Sequence, residues 1–346
     1  VVSKARDSQA RAQNNASSSP QSKSKFSGDG QHWSPLAPGD IVDLVAPGFP
    51  CTEEALENAV RFLVDWGLEP RMPAKIFGRD VLCSNNDEKR LMYLQDALEA
   101  PDSKAIWCVR GGYGSIRLAP ALMKMKRPKV SPKLFIGLSD ITTLHTFLGQ
   151  KWGWPTVHGP LLDRLGKGTS KPRYVKELKR FVFGEMNEIA FERLKPLNDA
   201  ARGKGSAKGS RGNVIRGPVS GGNLITLQST LSTSLHWDTR GRILFFEDIG
   251  ERGYRVDRVL EHFSQVGLFD QARAVVFGDF TGGAEADGKS LVPAVLKRFA
   301  ESVRIPVFSG LQSGHDVIQR PLPFETPSEL ILGEQGTLVC QTGSGR

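Results

Sequence analysis

The sequence predicts an α/β protein of two domains, on three observations. Its 346 residues exceed what one ordinary hydrophobic core accommodates. Over the first half, apolar runs of strand length alternate with amphipathic helical stretches, the pattern of right-handed βαβ units and a parallel sheet. Past a polar, glycine-rich stretch near 198–211, short strands follow closely with one clear helix among them, which favours a smaller mixed α/β second domain. With 24% charged and 39% hydrophobic residues the chain falls among soluble globular proteins, and no apolar stretch is long enough to span a bilayer.

Residues 1–37 are rich in Ser, Gln, Asn and Ala, lack periodicity, and are expected to be a disordered tail. The chain begins with Val1 rather than Met, which leaves a processed, exported form open, although no signal peptide is visible. Order is expected from Gly39, where Ile41 to Val45 form a strand running into a Pro/Gly loop. Thr52 caps the next helix, Glu53 and Glu54 suit its positive first turn, Leu56, Val60, Leu63 and Val64 share a face, and Gly67 ends it. A second helix near Asp87 to Ala100 carries Leu91, Leu94 and Leu98 on one stripe. Ala105 to Val109 and Leu134 to Leu138 are the next buried strands.

The pattern weakens from about Leu165, with a helix near Tyr174 to Phe183 and little to bury from Asn198 to Arg211. Strands are expected at Arg242 to Phe246, Ala272 to Phe277, Ile305 to Phe308 and Glu329 to Leu332, with the clear helix at Tyr254 to Val266. The expected divisions are therefore the tail over 1–37, a domain over 38–165, a crossover with a basic loop over 166–211, and a second domain over 212–346.

The formal charge of +9 does not make this a nucleic-acid binder. Residues 1–37, 123–133 and 199–211 carry +3, +5 and +3, more than the whole surplus, so the rest is slightly acidic and no helix face interleaves basic with aromatic residues. Cys51, Cys83, Cys108 and Cys340 are scattered without metal or disulfide spacing.

Chemistry concentrates where Leu134 to Leu138 runs into Ser139-Asp140 and a helix-forming stretch. A sharp strand-to-helix turn lifts a serine oxygen above the carboxyl edge of the sheet and aims the following N–H, that of Asp140, at an oxyanion. Ser and Asp are also preferred helix caps, so an ordinary cap competes for this turn until its company is considered. Strand 105–109 leads into Arg110-Gly111-Gly112-Tyr113-Gly114-Ser115, which does not satisfy the dinucleotide fingerprint. The Gly112 N–H is the candidate second oxyanion donor, against a plain glycine turn.

A nucleophilic serine needs a base, and the chain has six histidines. His32 lies in the tail, His262 among solvated helix charges, and His145 more than one helical turn beyond Ser139. His158, His236 and His315 remain, of which His315 sits in a Ser-Gly-His-Asp loop after a strand, a rigidly mounted position suited to chemistry. Glu247 ends the apolar strand 242–246, where a carboxylate needs a partner. Asp248 and Glu251 are expected to be solvated or to cap the helix that follows.

Taken in order, Arg-Gly-Gly-Tyr-Gly at 110–114, Gly-Leu-Ser-Asp at 137–140, His-Gly-Pro at 158–160, Gly-Gly-Asn at 221–223, Phe-Glu-Asp at 246–248, Tyr-Arg-Val-Asp-Arg at 254–258 and Gly-His at 314–315 resemble the LD-carboxypeptidase family of serine peptidases, which includes the microcin-immunity peptidases. The resemblance implies a Ser139, His315, Glu247 triad of nucleophile, base and orienter; beside it stand Gly112 and Asp140, read from their turns as the oxyanion hole, and Gly111, Tyr113 and Asn223 as candidate substrate contacts. It implies a flavodoxin/amidotransferase-like N-terminal domain and a homodimer, and no metal or organic cofactor is expected, since nothing in the sequence offers ligands for one. The implied reaction removes terminal D-alanine from muropeptide tetrapeptides in cell-wall recycling or remodelling. A peptidyl-nucleotide antibiotic as substrate, and a non-catalytic muropeptide-binding module, are the alternatives. A cytoplasmic location follows from the resemblance, a periplasmic one from the polar tail and missing Met.

Overall fold

The computed structural model describes residues 32–204, 210–211 and 213–343, so most of the expected tail and residues 205–209 of the basic loop lie outside the described residues. In chain order the strands are β1 (Ile41–Val45), β2 (Glu69–Arg71), β3 (Ser103–Cys108), β4 (Leu134–Gly137), β5 (Thr156–His158), β6 (Glu188–Pro196), β7 (Ser210–Arg211) and β8 (Val214–Arg216). They continue with β9 (Val219–Asn223), β10 (Ile243–Ile249), β11 (Ala274–Thr281), β12 (Val307–Ser309), β13 (Leu322–Phe324), β14 (Ser328–Ile331) and β15 (Gly336–Gln341).

Two sheets result, giving the expected two-domain α/β arrangement. The first has the order β13-β5-β4-β3-β1-β2 and is parallel except at β13. Its middle strands are apolar on both faces because both are covered: Val42, Leu44, Trp107 and Ile136 feed one core, while Val45, Ile106, Cys108 and Phe135 pack against the helices Asp87–Glu99, Ser115–Leu122 and Thr142–Phe147. The second sheet has the order β7-β8-β14-β15-β6-β12-β11-β10-β9. Its β9 to β12 portion is parallel, and antiparallel strands extend it beyond β12. These additions give it nine strands against six among the described residues, so by strand number it is the larger sheet.

Active groups in such sheets gather at the carboxyl ends of parallel strands. Ser139 follows β4, His158 ends β5, Glu247 lies near the end of β10, and His315 follows β12. The two sheets share a core, since Val219, Phe245 and Val276 join Leu44, Ile136, Val157 and Phe324 in one buried apolar cluster.

Three elements differ from expectation. A second helix, Val292–Ser302, interrupts the later strands, with Pro293 in its first turn and Val295, Leu296 and Phe299 on the buried face. Strand β6 lies in the stretch where the pattern weakens and no strand was expected. Ile189, Phe191 and Leu194 are buried, but Arg193 at φ 60° puts an irregularity between them, and this breaks the alternation that marks a strand. Trp33 and Leu36, assigned by composition to the tail, are 1% and 3% exposed. The Trp33 N–H donates to Gly343 and the Leu36 N–H to Val182, and the Trp33 ring packs on Phe181.

Candidate active site

The serine turn is tight and strained. Ser139 has φ 68°, in the left-handed region where a β-substituted residue costs about 1–3 kcal/mol unless its surroundings hold it there. Gly137 makes the turn possible, because a Cβ there would lie 2.7 Å from Ile141 Cγ2. A Cβ on Gly111 would come within 2.9 Å of Ser139 Cβ, so the glycine loop lies directly against the serine. Beneath the turn the Asp140 carboxylate accepts from the Gly114 N–H (3.2 Å), the Ser115 N–H (2.9 Å) and Ser115 Oγ (2.6 Å). Its side chain therefore ties the glycine loop to the serine turn, while burial raises its pKa against those hydrogen bonds. The amides of Gly112, at φ 95°, and Asp140 donate to no backbone acceptor among the described residues. Tyr113 is 40% exposed beside them.

The second sheet contributes an acid and a histidine. Glu247 is fully buried, and His315 Nδ1 donates to its Oε2 at 2.6 Å. Burial alone would raise the Glu247 pKa, but the charge of His315 and the hydrogen bonding around the carboxylate outweigh it and hold the pKa at about 2. For His315 burial acts downward, and the facing carboxylate reverses it, so the imidazole is raised above its ordinary value. Three contacts fix the histidine loop: Arg164 donates to the carbonyls of His315 (3.0 Å) and Asp316 (2.6 Å), and Gln319 Nε2 to that of Gly314 (2.8 Å). Gly314 has φ 138°, and a Cβ there would stand 3.1 Å from Glu247 Oε2.

Asp248 departs from expectation. It is 4% exposed and accepts from the Ile225 N–H at 3.0 Å, so it supports the start of the short helix Leu224–Gln228 rather than the helix after it. Burial and the neighbouring Glu247 push its pKa to about 7. Burial, then Asp316 and Glu247, do the same for Asp279.

Two contacts between the sheets set these groups together. Asn223, in register with Glu247, donates its N–H to Thr142 Oγ1 at 2.9 Å, three residues past the serine. Gly222 permits this, since a Cβ there would collide with Thr142. The Asn223 side chain donates to Asp248 at 3.0 Å and accepts from the Thr226 N–H at 3.0 Å, a helix cap. His158, in register with Gly137, reaches Ser313 Oγ at 3.0 Å and stands 3.8 Å from Glu247 Oε1. Ser139 and His315 are thus mounted on opposite sheets, and no hydrogen bond joins them among the described residues. Catalytic contacts of this kind commonly tighten only with substrate bound. His145 is spent on Thr156 and Gly137 under β4, and burial lowers its pKa to about 3.

Sequence reasoning left His158 among three histidines and did not find Arg164 or Thr142. The His-Gly-Pro stretch at 158–160 was the available signal for the first. No group of three or more His, Cys, Asp or Glu placed to hold a metal occurs among the described residues.

Both halves of the chain resemble known proteins. A model of the LD-carboxypeptidase N-terminal domain matches residues 42–159, and one of the LD-carboxypeptidase C-terminal domain matches residues 216–330. A putative carboxypeptidase of Rickettsia conorii is 37% identical over 86% of this chain and 90% of its own. A probable murein peptide carboxypeptidase of Bacillus subtilis is 32% identical over 89% and 93%. The crystal structure of muramoyltetrapeptide carboxypeptidase from Oxalobacter formigenes superposes with a TM-score of 0.73 at 26% identity, covering 87% of this chain and 98% of that one.

Proposed function

This chain belongs to the LD-carboxypeptidase family of serine-type peptidases, and on that footing we propose that it hydrolyses the L,D-peptide bond releasing terminal D-alanine from peptidoglycan tetrapeptides. Ser139 Oγ attacks the carbonyl as His315 takes its proton, and the amides of Gly112 and Asp140 hold the oxyanion. His315 then protonates the departing amine, and water repeats the sequence on the acyl-enzyme. Glu247 fixes the imidazole with Nδ1 protonated, which leaves Nε2 as the base. The observation that carries this reading is the 2.6 Å bond from His315 to a fully buried carboxylate, the orienting half of a triad, in a chain whose serine is held at φ 68°.

Ser139→Ala tests it, with D-alanine release from purified tetrapeptide followed by mass spectrometry. Loss of a nucleophile of this kind costs on the order of a million-fold in kcat, with the thermal transition retained. Activity within about tenfold of wild type contradicts the assignment. Cleavage of a peptidyl-nucleotide conjugate in preference to tetrapeptide would redirect the substrate while keeping the triad. We also propose a homodimer, on family resemblance; a monomer in sedimentation at working concentrations contradicts it.

A further inference from the structure

One pair of atoms in the site has no conventional partner. His158 Nε2 and Glu247 Oε1 are each buried without a hydrogen bond, 3.8 Å apart, and both side chains are fully buried. On the other side of the imidazole Ser313 Oγ lies 3.0 Å from His158 Nδ1 and 3.1 Å from the Arg320 carbonyl, and its hydroxyl can donate to either. Were Nδ1 the protonated nitrogen of a neutral ring, Nε2 would aim a lone pair at a carboxylate oxygen. Two buried acceptors face to face repel, and each loses its hydration without return.

We propose that His158 is a positioning residue of the catalytic centre, with a proton on Nε2 that faces Oε1 of Glu247 and so leaves Oε2 to His315. This rests on the assignment of Glu247 and His315 as orienter and base. Glu247 is then gripped from both sheets, by His158 of β5 and His315 beyond β12. The Nε2–H facing the carboxylate offsets part of its pull on His315 and lets the base shed its proton at lower pH. The other charged groups around Glu247 and His315 are Asp248, Asp279, Asp316 and Arg164, and the His158 variants leave all four in place. Of the groups packed on the His158 ring, Phe245, Phe324 and Ser313 are uncharged, and His145 donates Nε2–H to the Gly137 carbonyl and accepts from Thr156, as a neutral ring does.

The test is the pH profile of kcat/KM on soluble tetrapeptide for His158→Phe and His158→Gln in the full chain. Phe removes the Nε2–H and exposes His315 to the whole carboxylate charge, so the acid limb of His158→Phe moves up by about one pH unit, with activity at neutral pH lost about tenfold and recovered on the alkaline side, while Gln, whose amide N–H replaces the donor, moves it less. A purely structural role lowers activity at every pH and leaves the limb in place, and that result overturns the proposal. Nitrogen-15 histidine spectra of the Ser139→Ala protein decide the matter if neither variant folds: His158 Nε2 carries a proton, whereas a bare Nε2 overturns the proposal. His315→Ala, assayed in parallel, separates the two readings. If it still turns over, the base assignment has failed; if it is inactive and the His158 limb stays put, only the role of His158 has.

Discussion

Replacing Glu247 by Gln removes a charge while conserving volume, at a position where the structure sets the size of the effect. The folded pKa of about 2 lies well below the ordinary 4.5, and the difference is equivalent to about 3 kcal/mol of preferential interaction with the ionised form. The sign follows from the depression. This stabilisation is fully present above pH 4.5 and is lost as pH falls through about 2, so the stability gap between wild type and Glu247→Gln narrows over that window. Catalysis suffers more than stability. With a neutral amide opposite, burial governs His315, its pKa falls instead of rising, and the ring loses the partner that fixes its tautomer. In serine triads this change costs about ten-thousand-fold in kcat. The assays are denaturant unfolding from pH 2 to 7 and D-alanine release at neutral pH. A stability gap independent of pH, or activity within tenfold of wild type, would refute the ionised, His-paired Glu247 argued here.

Two further outcomes follow from packing. Gly222→Ala sets a methyl group against Thr142 at φ 136°, so strain and the lost Asn223–Thr142 bond lower stability by about 2–4 kcal/mol and separate the two sheets at the site; denaturant unfolding and kcat/KM should fall together. Trp33→Ala removes a ring 1% exposed and lowers stability by about 3 kcal/mol while kcat stays near wild type, and a truncation ending after residue 37 shows the same loss; an unchanged melting temperature in either variant contradicts the packing of this segment.

Alternating strands and helices, the Ser139 turn and the acid ending an apolar strand were legible in the sequence, because each is written in neighbouring residues: a period, a glycine, a charge after a hydrophobic run. Strand β6 was not, since its irregularity at Arg193 shifts the buried positions out of alternation. Nor was Trp33, whose partners Phe181 and Gly343 lie far along the chain. The site divides in the same way. Residue types and motif order pointed to Ser139, Glu247 and His315, but the bond between the last two spans 68 residues and the one from His158 to Ser313 spans 155. Which histidine touches which carboxylate oxygen, and that Asn223 spends its side chain on a helix cap, were decided only by the docking of two sheets. Periodicity reports how a segment meets its own neighbours, whereas a buried charge takes its partner from whatever distant backbone the shared core brings alongside.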